Sequence, residues 1–181
     1  MKRPLLETNG TALRFVENTD AVLLLELNND LEIAKYVVGN PKQVTMEEQL
    51  QWMEKIKYET RTKRFIIEHN GESVGTIIIS DIDVSNLTAN MNIKLKSSAR
   101  GKGIGKQSVK LALKYCFDVL ELVCITAHIL HYNTSSIALF ESCGFTKEGI
   151  MRSRVVKKGQ RIDLISFSIL CDEFERNVGR E

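Results

Sequence analysis

A glycine-rich junction between two predicted elements constrains the fold of this chain more than any other feature. Residues 91–96 alternate apolar and polar side chains, which predicts a strand with one buried face. Apolar residues then recur at helical spacing over residues 104–117, which predicts an amphipathic helix. The turn between them contains glycines at alternate positions, Gly101, Gly103 and Gly105. The chain therefore needs a fold in which a tight turn leads a strand into a helix.

This junction is suited to bind a phosphate group. Glycines lack a Cβ atom, so the backbone can approach a ligand closely and adopt left-handed dihedral angles. The first N–H groups of the helix have no partner within it and lie at the positive end of its dipole, and a phosphate oxygen satisfies both. The spacing differs from that of a dinucleotide fingerprint, and Gln107 after Lys106 excludes a P-loop. Alone, the run fits a phosphate loop and an ordinary glycine-rich turn equally well.

A second segment, residues 133–145, follows one predicted strand later. Asn133 or Thr134 can cap a helix, Phe140 belongs to its apolar face, and Gly144 supplies a left-handed end. Together with the pattern Arg-x-x-Gly-x-Gly of residues 100–105, in this order, the segment resembles the GNAT superfamily of acetyl-coenzyme A (acetyl-CoA) dependent N-acetyltransferases. The loop would correspond to the family's pyrophosphate-binding loop.

The predicted elements follow the order strand, two helices, three strands, helix, strand, helix, two strands. A capping box at Thr45 begins the second helix, and an Asn70-Gly71 turn joins two of the strands. This order predicts an α/β domain with a mixed central sheet of about seven strands flanked by about four helices. It is also the order of the GNAT fold, so the resemblance covers nearly the whole chain.

We expect residues 1–181 to form this single acyl-CoA N-acyltransferase domain. Residues 35–42 are expected to be a loop after the first helix, residues 81–86 a loose segment, and the charged residues 172–181 a solvated tail.

Composition bounds the partners of the chain. Its 181 residues are 43% hydrophobic and 27% charged, which is typical of a globular domain, and the formal net charge of +2 gives no reason to expect a nucleic-acid partner. No apolar run is long enough for a membrane span, and the first residues lead into no signal-like segment. The four cysteines lack metal-ligand spacing, so we expect reduced thiols, no metal and a cytoplasmic protein.

The resemblance implies where acetyl-CoA, the expected co-substrate, would bind. In the family the pantetheine arm pairs with the edge of the fourth predicted strand, and a splay between the fourth and fifth exposes the thioester. The cofactor-binding residues implied by position are Ile93, Lys94, Leu95, Arg100, Gly101, Lys102, Gly103, Ile104, Gly105, Lys106, Asn133, Ser136 and Phe140.

The implied reaction is attack of a neutral amine on a thioester carbonyl, which needs a proton acceptor and support for the departing thiolate. Many relatives have a Tyr as the acid where this chain has Phe140, which has no proton to give. Related polyamine enzymes have a carboxylate where this chain has Asn90 or Asn92. The remaining candidate catalytic residues are Asn133, Tyr132 and His131, with His128 as a second histidine on the fifth predicted strand and water as an alternative base.

The amine acceptor has several candidates. The chain most resembles the branch of ribosomal-protein N-terminal and spermidine acetyltransferases, which implies a protein N-terminus or a small molecule as acceptor and a possible homo-oligomer. The basic and apolar residues 35–42 would repel a polycation. A nucleotide-sugar amine is a further candidate, and basic residues around the last predicted hairpin either meet an anionic substrate or face solvent. The competing class is a non-catalytic acyl-CoA sensor, which Phe140 favours.

Overall fold

One eight-stranded sheet forms the centre of the computed structural model, which describes residues 5–39 and 41–178. The strands lie in the order β1-β2-β3-β4-β5-β6-β8-β7. Every described neighbouring pair is antiparallel except β5 and β6. The strands are β1 (Leu6–Thr8), β2 (Thr11–Phe15), β3 (Lys63–His69), β4 (Glu72–Asp83), β5 (Thr88–Leu95), β6 (Cys124–Leu130), β7 (Thr146–Lys157) and β8 (Gln160–Leu170).

Six α-helices cover the two faces of this sheet in the described residues. They are α1 (Ala21–Asn29), α2 (Leu31–Tyr36), α3 (Met46–Ile56), α4 (Ile104–Asp118), α5 (Thr134–Ser142) and α6 (Cys171–Val178). None of the described helices is both long and apolar enough to cross a membrane.

Alternation along the strands builds a separate apolar core on each face of the sheet. Phe65 and Ile67 of β3 pack in the larger core, which also contains residues of α4, α5 and α6. Ile66 lies between them in sequence and faces the smaller core under α1, α2 and α3. Successive strand residues point to opposite faces, so one strand serves both cores.

The predicted α/β fold with a mixed sheet is confirmed, and three elements are added to it: β1, α2 and α6. A short edge strand, β1, raises the number of strands from about seven to eight. The supposed loop of residues 35–42 begins as the end of α2, and the supposed loose segment of residues 81–86 begins as the end of β4.

The expectation of a solvated C-terminal tail is wrong for residues 172–178, which belong to α6. Phe174 of this helix is buried and packs its ring against Phe117 of α4, with centroids 5.5 Å apart. The remainder of the predicted tail and the residues before Leu5 lie outside the described residues.

Candidate active site

The two parallel strands separate part-way along their length. β5 and β6 pair only at Thr88↔Cys124, Ala89↔Ile125 and Asn90↔Thr126 among the described residues. Beyond these pairs β5 stays bonded to β4 and β6 stays bonded to β8. The edge of β5 over residues 91–95 therefore faces a cleft, at the place where the resemblance implied a splay.

A cavity of about 770 Å³ fills this cleft. One wall comes from β5, a second from β6 and α5, and a third from α2 and the residues after it. The glycine junction closes one end. Predicted site residues that line the cavity are Ile93, Lys94, Leu95, Arg100, Gly101, Gly103, Gly105, Lys106, Asn133, Ser136 and Phe140.

The glycine junction presents unpaired backbone donors. Gly101 and Gly103 have φ angles of +73° and +78°, and Gly103 caps α4 from the left-handed region. Among the described residues, no backbone carbonyl accepts a hydrogen bond from the N–H groups of residues 101–106. A Cβ built on Gly101 or Gly103 would meet no atom within 4 Å, so this backbone faces open space. Orphan donors at a helix N-terminus fit a pyrophosphate group.

Arg100 joins the end of β5 to this junction. Its Nε and Nη2 atoms both donate hydrogen bonds of 3.1 Å to the carbonyl oxygen of Leu95. Gly105, one turn later, lets the helix approach closely, because an added Cβ would lie 3.3 Å from Leu95 and 3.4 Å from Leu139. These contacts hold the start of α4 against the end of β5 and against α5.

Two residues of the α5 wall have structural partners of their own. The Asn133 side chain accepts a hydrogen bond of 3.2 Å from the N–H of Ser136 and so caps α5. Phe140 is 3% exposed and packs edge-on against Phe145, with centroids 4.9 Å apart. Its ring gives the cleft an apolar wall where a Tyr would give a proton donor.

His128 is the candidate base that lines the cavity. It lies on β6, on the sheet face that α1 and α2 cover, and it is half-buried. Burial lowers its pKa below the ordinary value, the positive charge of Arg154 lowers it further, and Asp81 acts in the opposite direction. The imidazole is therefore neutral at neutral pH and able to accept a proton.

His131 and Tyr132, the other two predicted catalytic residues, do not line the cavity. His131 follows the end of β6 and is exposed. The Tyr132 hydroxyl donates a hydrogen bond of 3.0 Å to the carbonyl of Lys35, and its ring lies 6.2 Å from that of Tyr36. Burial raises the pKa of Tyr132. This tyrosine contacts the end of α2, and its catalytic role stays a prediction.

Two predicted cofactor residues also lie outside the cavity lining. Lys102 is exposed on the junction, and Ile104 is 2% exposed and packs in the larger core. Their backbone N–H groups belong to the unpaired set described above.

The wall from α2 was missing from the sequence prediction. Ile33, Tyr36, Val37 and Val38 line the cavity there. A signal for this helix existed, because Asp30 caps it by accepting hydrogen bonds from the N–H groups of residues 32 and 33.

Lys157 of β7 holds this wall in place. Its Nζ atom donates hydrogen bonds to the carbonyls of Ala34, Val37 and Gly39 at 2.9, 2.7 and 3.1 Å. Carbonyls at the end of a helix lack partners within it, and a lysine is well suited to satisfy them.

Comparisons with known proteins agree with this geometry. Residues 11–146 match the acetyltransferase (GNAT) domain family. The chain is 32% identical over 173 residues to the uncharacterized N-acetyltransferase p20 of Bacillus licheniformis, covering 93% of this chain and 97% of that protein. It is 26% identical over 163 residues to the spermidine N(1)-acetyltransferase of Vibrio cholerae, covering 90% and 94%.

A solved structure shares the fold. The crystal structure of spermidine N-acetyltransferase from Vibrio cholerae in complex with CoA and spermine superposes with a TM-score of 0.87 at 24% identity, covering 93% of this chain and 99% of that one. The predicted family, fold class, enzyme class and acetyl-CoA co-substrate are confirmed. This chain belongs to the GNAT family of acetyl-CoA-dependent acetyltransferases.

Proposed function

We propose that this protein moves the acetyl group of acetyl-CoA to the primary amine of a small molecule or a protein N-terminus, by direct attack in a ternary complex. The observation that carries the proposal is the meeting of three features in one cleft: the unpaired edge of β5, the donor-rich junction and the neutral imidazole of His128. Each answers one need of the reaction.

Binding of acetyl-CoA is assigned to the first two features. The N–H groups of residues 101–106 and the positive charge of Lys106 suit the pyrophosphate, and the free edge of β5 suits the amide groups of the pantetheine arm. Acetyl-CoA supplies the acetyl group as a thioester. Phe140 and Leu139 give the reacting end an apolar surface.

Proton transfer is assigned to His128. The amine nitrogen forms a bond to the carbonyl carbon, the carbon–sulfur bond breaks, and the proton released from nitrogen passes to the imidazole directly or through water. Phe140 offers no proton to the thiolate, so the leaving group takes its proton from water or from the imidazolium. The four cysteines are free, which supports the reducing cytoplasm as the place of reaction.

A second candidate function is an acyl-CoA sensor without catalysis. Phe140 at the position of the usual acid is the observation that favours it. Such a protein would keep the donor-rich junction and bind acetyl-CoA without transferring the acetyl group.

Thiol release separates the two functions. Purified protein is incubated with acetyl-CoA and amines from four classes: peptides, polyamines, amino-sugars and small aliphatic amines. We expect amine-dependent release of CoA together with an equal amount of N-acetylated product. Tight binding of acetyl-CoA with no thiol release for any class would establish the sensor instead.

A further inference from the structure

A second cavity of about 230 Å³ lies beside the cleft, between α1, α3 and the sheet. Ile78 and Lys94 line both cavities, so they form the boundary between them. The other lining residues are Leu24, Leu27, Asn28, Trp52, Arg64 and Thr76. Two of the lining side chains are cationic, and none of the described lining residues carries a carboxylate.

A chain of hydrogen bonds beside this cavity leads from Lys94 through Asn28 to Gln49. The Lys94 ammonium, which can only donate, bonds to Oδ1 of Asn28 at 2.9 Å. The amide nitrogen of Asn28 is therefore directed to Gln49, whose Oε1 accepts at 3.0 Å. The Gln49 Nε2 group is left as a donor, and it has no partner among the described residues although Gln49 is 2% exposed. The network thus has donors at both ends.

Arg64 adds another unused donor. Its Nη1 atom pairs with Glu59 at 2.8 Å, and its guanidinium lies 5.2 Å from the centre of the Trp52 ring. Its Nε–H is buried, and no group in residues 5–39 or 41–178 accepts a hydrogen bond from it. A buried donor without an acceptor is destabilising, because it has lost water without gaining a partner.

Lys94, unlike Arg64, has no carboxylate partner among the described residues. Asn28 is its hydrogen-bond partner. Burial lowers the pKa of Lys94, since the charged form has lost water without gaining an anion. A negatively charged ligand group would supply a counter-charge to Lys94 and an acceptor for the Nε–H of Arg64.

Resting on the proposed function, we propose that the amine acceptor carries an anionic group, a carboxylate or a phosphate, which binds in the second cavity between Lys94 and Arg64. Asn92, in the cleft, and Lys94 are two residues apart on β5 and share a face, which separates their backbones by about 7 Å. An aliphatic chain of about four to five carbons spans this distance. It would join an amine beside Asn92 to an anion bound to Lys94.

This assignment excludes polyamines as good acceptors. A second ammonium group would meet the two cationic side chains, Lys94 and Arg64, in this cavity. Spermidine, the substrate in the names of several relatives, is thus a poor match for this chain.

Acceptors matched in length test the assignment. We compare kcat/KM for three series, each spanning three to six carbons between the end groups: ω-amino carboxylates, simple alkylamines and α,ω-diamines. At the best length we expect the amino carboxylate to exceed the diamine by about tenfold or more. A diamine or an alkylamine that is preferred at every length would overturn the proposal.

Variants tie the preference to the cavity. Arg64→Gln and Lys94→Gln should each bring the ratio of amino carboxylate to alkylamine close to one. Lys63→Gln is the matched control, because Lys63 precedes Arg64 on β3 but faces the other side of the sheet. The ratio is taken within each variant, so a general loss of activity cancels. A ratio that is unchanged in both cavity variants would contradict the proposal.

Calorimetry separates this proposal from the proposed function. The same amines are titrated into protein saturated with CoA, which requires no turnover. Tighter binding of the amino carboxylate, lost in Arg64→Gln, supports the anion site even if no acetyl group is transferred. Transfer that favours diamines retains the acetyltransferase and removes the anion site.

Discussion

At the scale of single residues, His128 and Phe140 differ in what they offer to the proposed reaction. In the proposed function, His128, which lines the cavity, accepts a proton, whereas Phe140 has none to give. Under this proposal, activation of the amine is the step that uses a side chain of the cleft.

Removal of the imidazole is the first prediction at this scale. His128→Ala should lower kcat by about 100-fold or more, because general base catalysis contributes on that order, while the Kd for CoA stays unchanged. His131→Ala is the control, since that exposed histidine does not line the cavity. Steady-state kinetics that show a larger loss in the His131 variant would reverse the assignment.

The pH dependence follows from the lowered pKa of His128. The base works in its neutral form, so kcat/KM should fall as the pH drops through that pKa, below about 6.5. Arg154→Gln removes a positive charge that lowers the pKa, so it should move this acidic limb to higher pH. A pH–rate profile in which the limb stays in place would show that another group titrates.

Gly103 is the residue on which the shape of the glycine junction depends. Its φ of +78° is unfavourable for an alanine, so Gly103→Ala should cost about 1–2 kcal/mol and weaken CoA binding. Gly149→Ala is the matched control, because that glycine has equally open space and an ordinary φ. Calorimetry with CoA should separate them, and equal affinities would contradict a role for the left-handed turn.

Elements were predictable from the sequence where a local signal was strong. The Asn70-Gly71 turn was assigned correctly, and the same dipeptide at Asn9-Gly10 closes the β1–β2 hairpin. β1 was missed because its three residues are too short to show alternation. The helix α6 was missed because one buried side chain, Phe174, anchors an otherwise charged segment.

The cavity wall formed by α2 and the following residues supports a prediction at the scale of elements. Lys157→Met removes three hydrogen bonds to its carbonyls, so the wall should loosen and KM for the amine should rise several-fold. Lys158→Met, at the exposed neighbour, is the control. The Kd for CoA should change in neither variant. An unchanged KM for the amine in Lys157→Met would show that this wall does not contribute to binding of the acceptor.

At the scale of the whole molecule, the cleft divides into a part that sequence could predict and a part it could not. The junction at residues 101–105 is local, and its chemistry follows from glycine spacing. The acceptor side brings together α2, β5, β6 and β7, which are far apart in sequence, and the second cavity adds α3. No window of sequence contains these contacts, so their arrangement required the fold.

A single-turnover reaction followed by mass spectrometry tests the central claim most directly. Excess protein is mixed with acetyl-CoA, first alone and then with a primary amine. The account predicts that acetyl-CoA stays intact until the amine is added, and that the acetyl group then appears on the amine, with free CoA and no acetylated protein. An acetylated protein intermediate, or intact acetyl-CoA with every amine, would contradict direct transfer in this cleft.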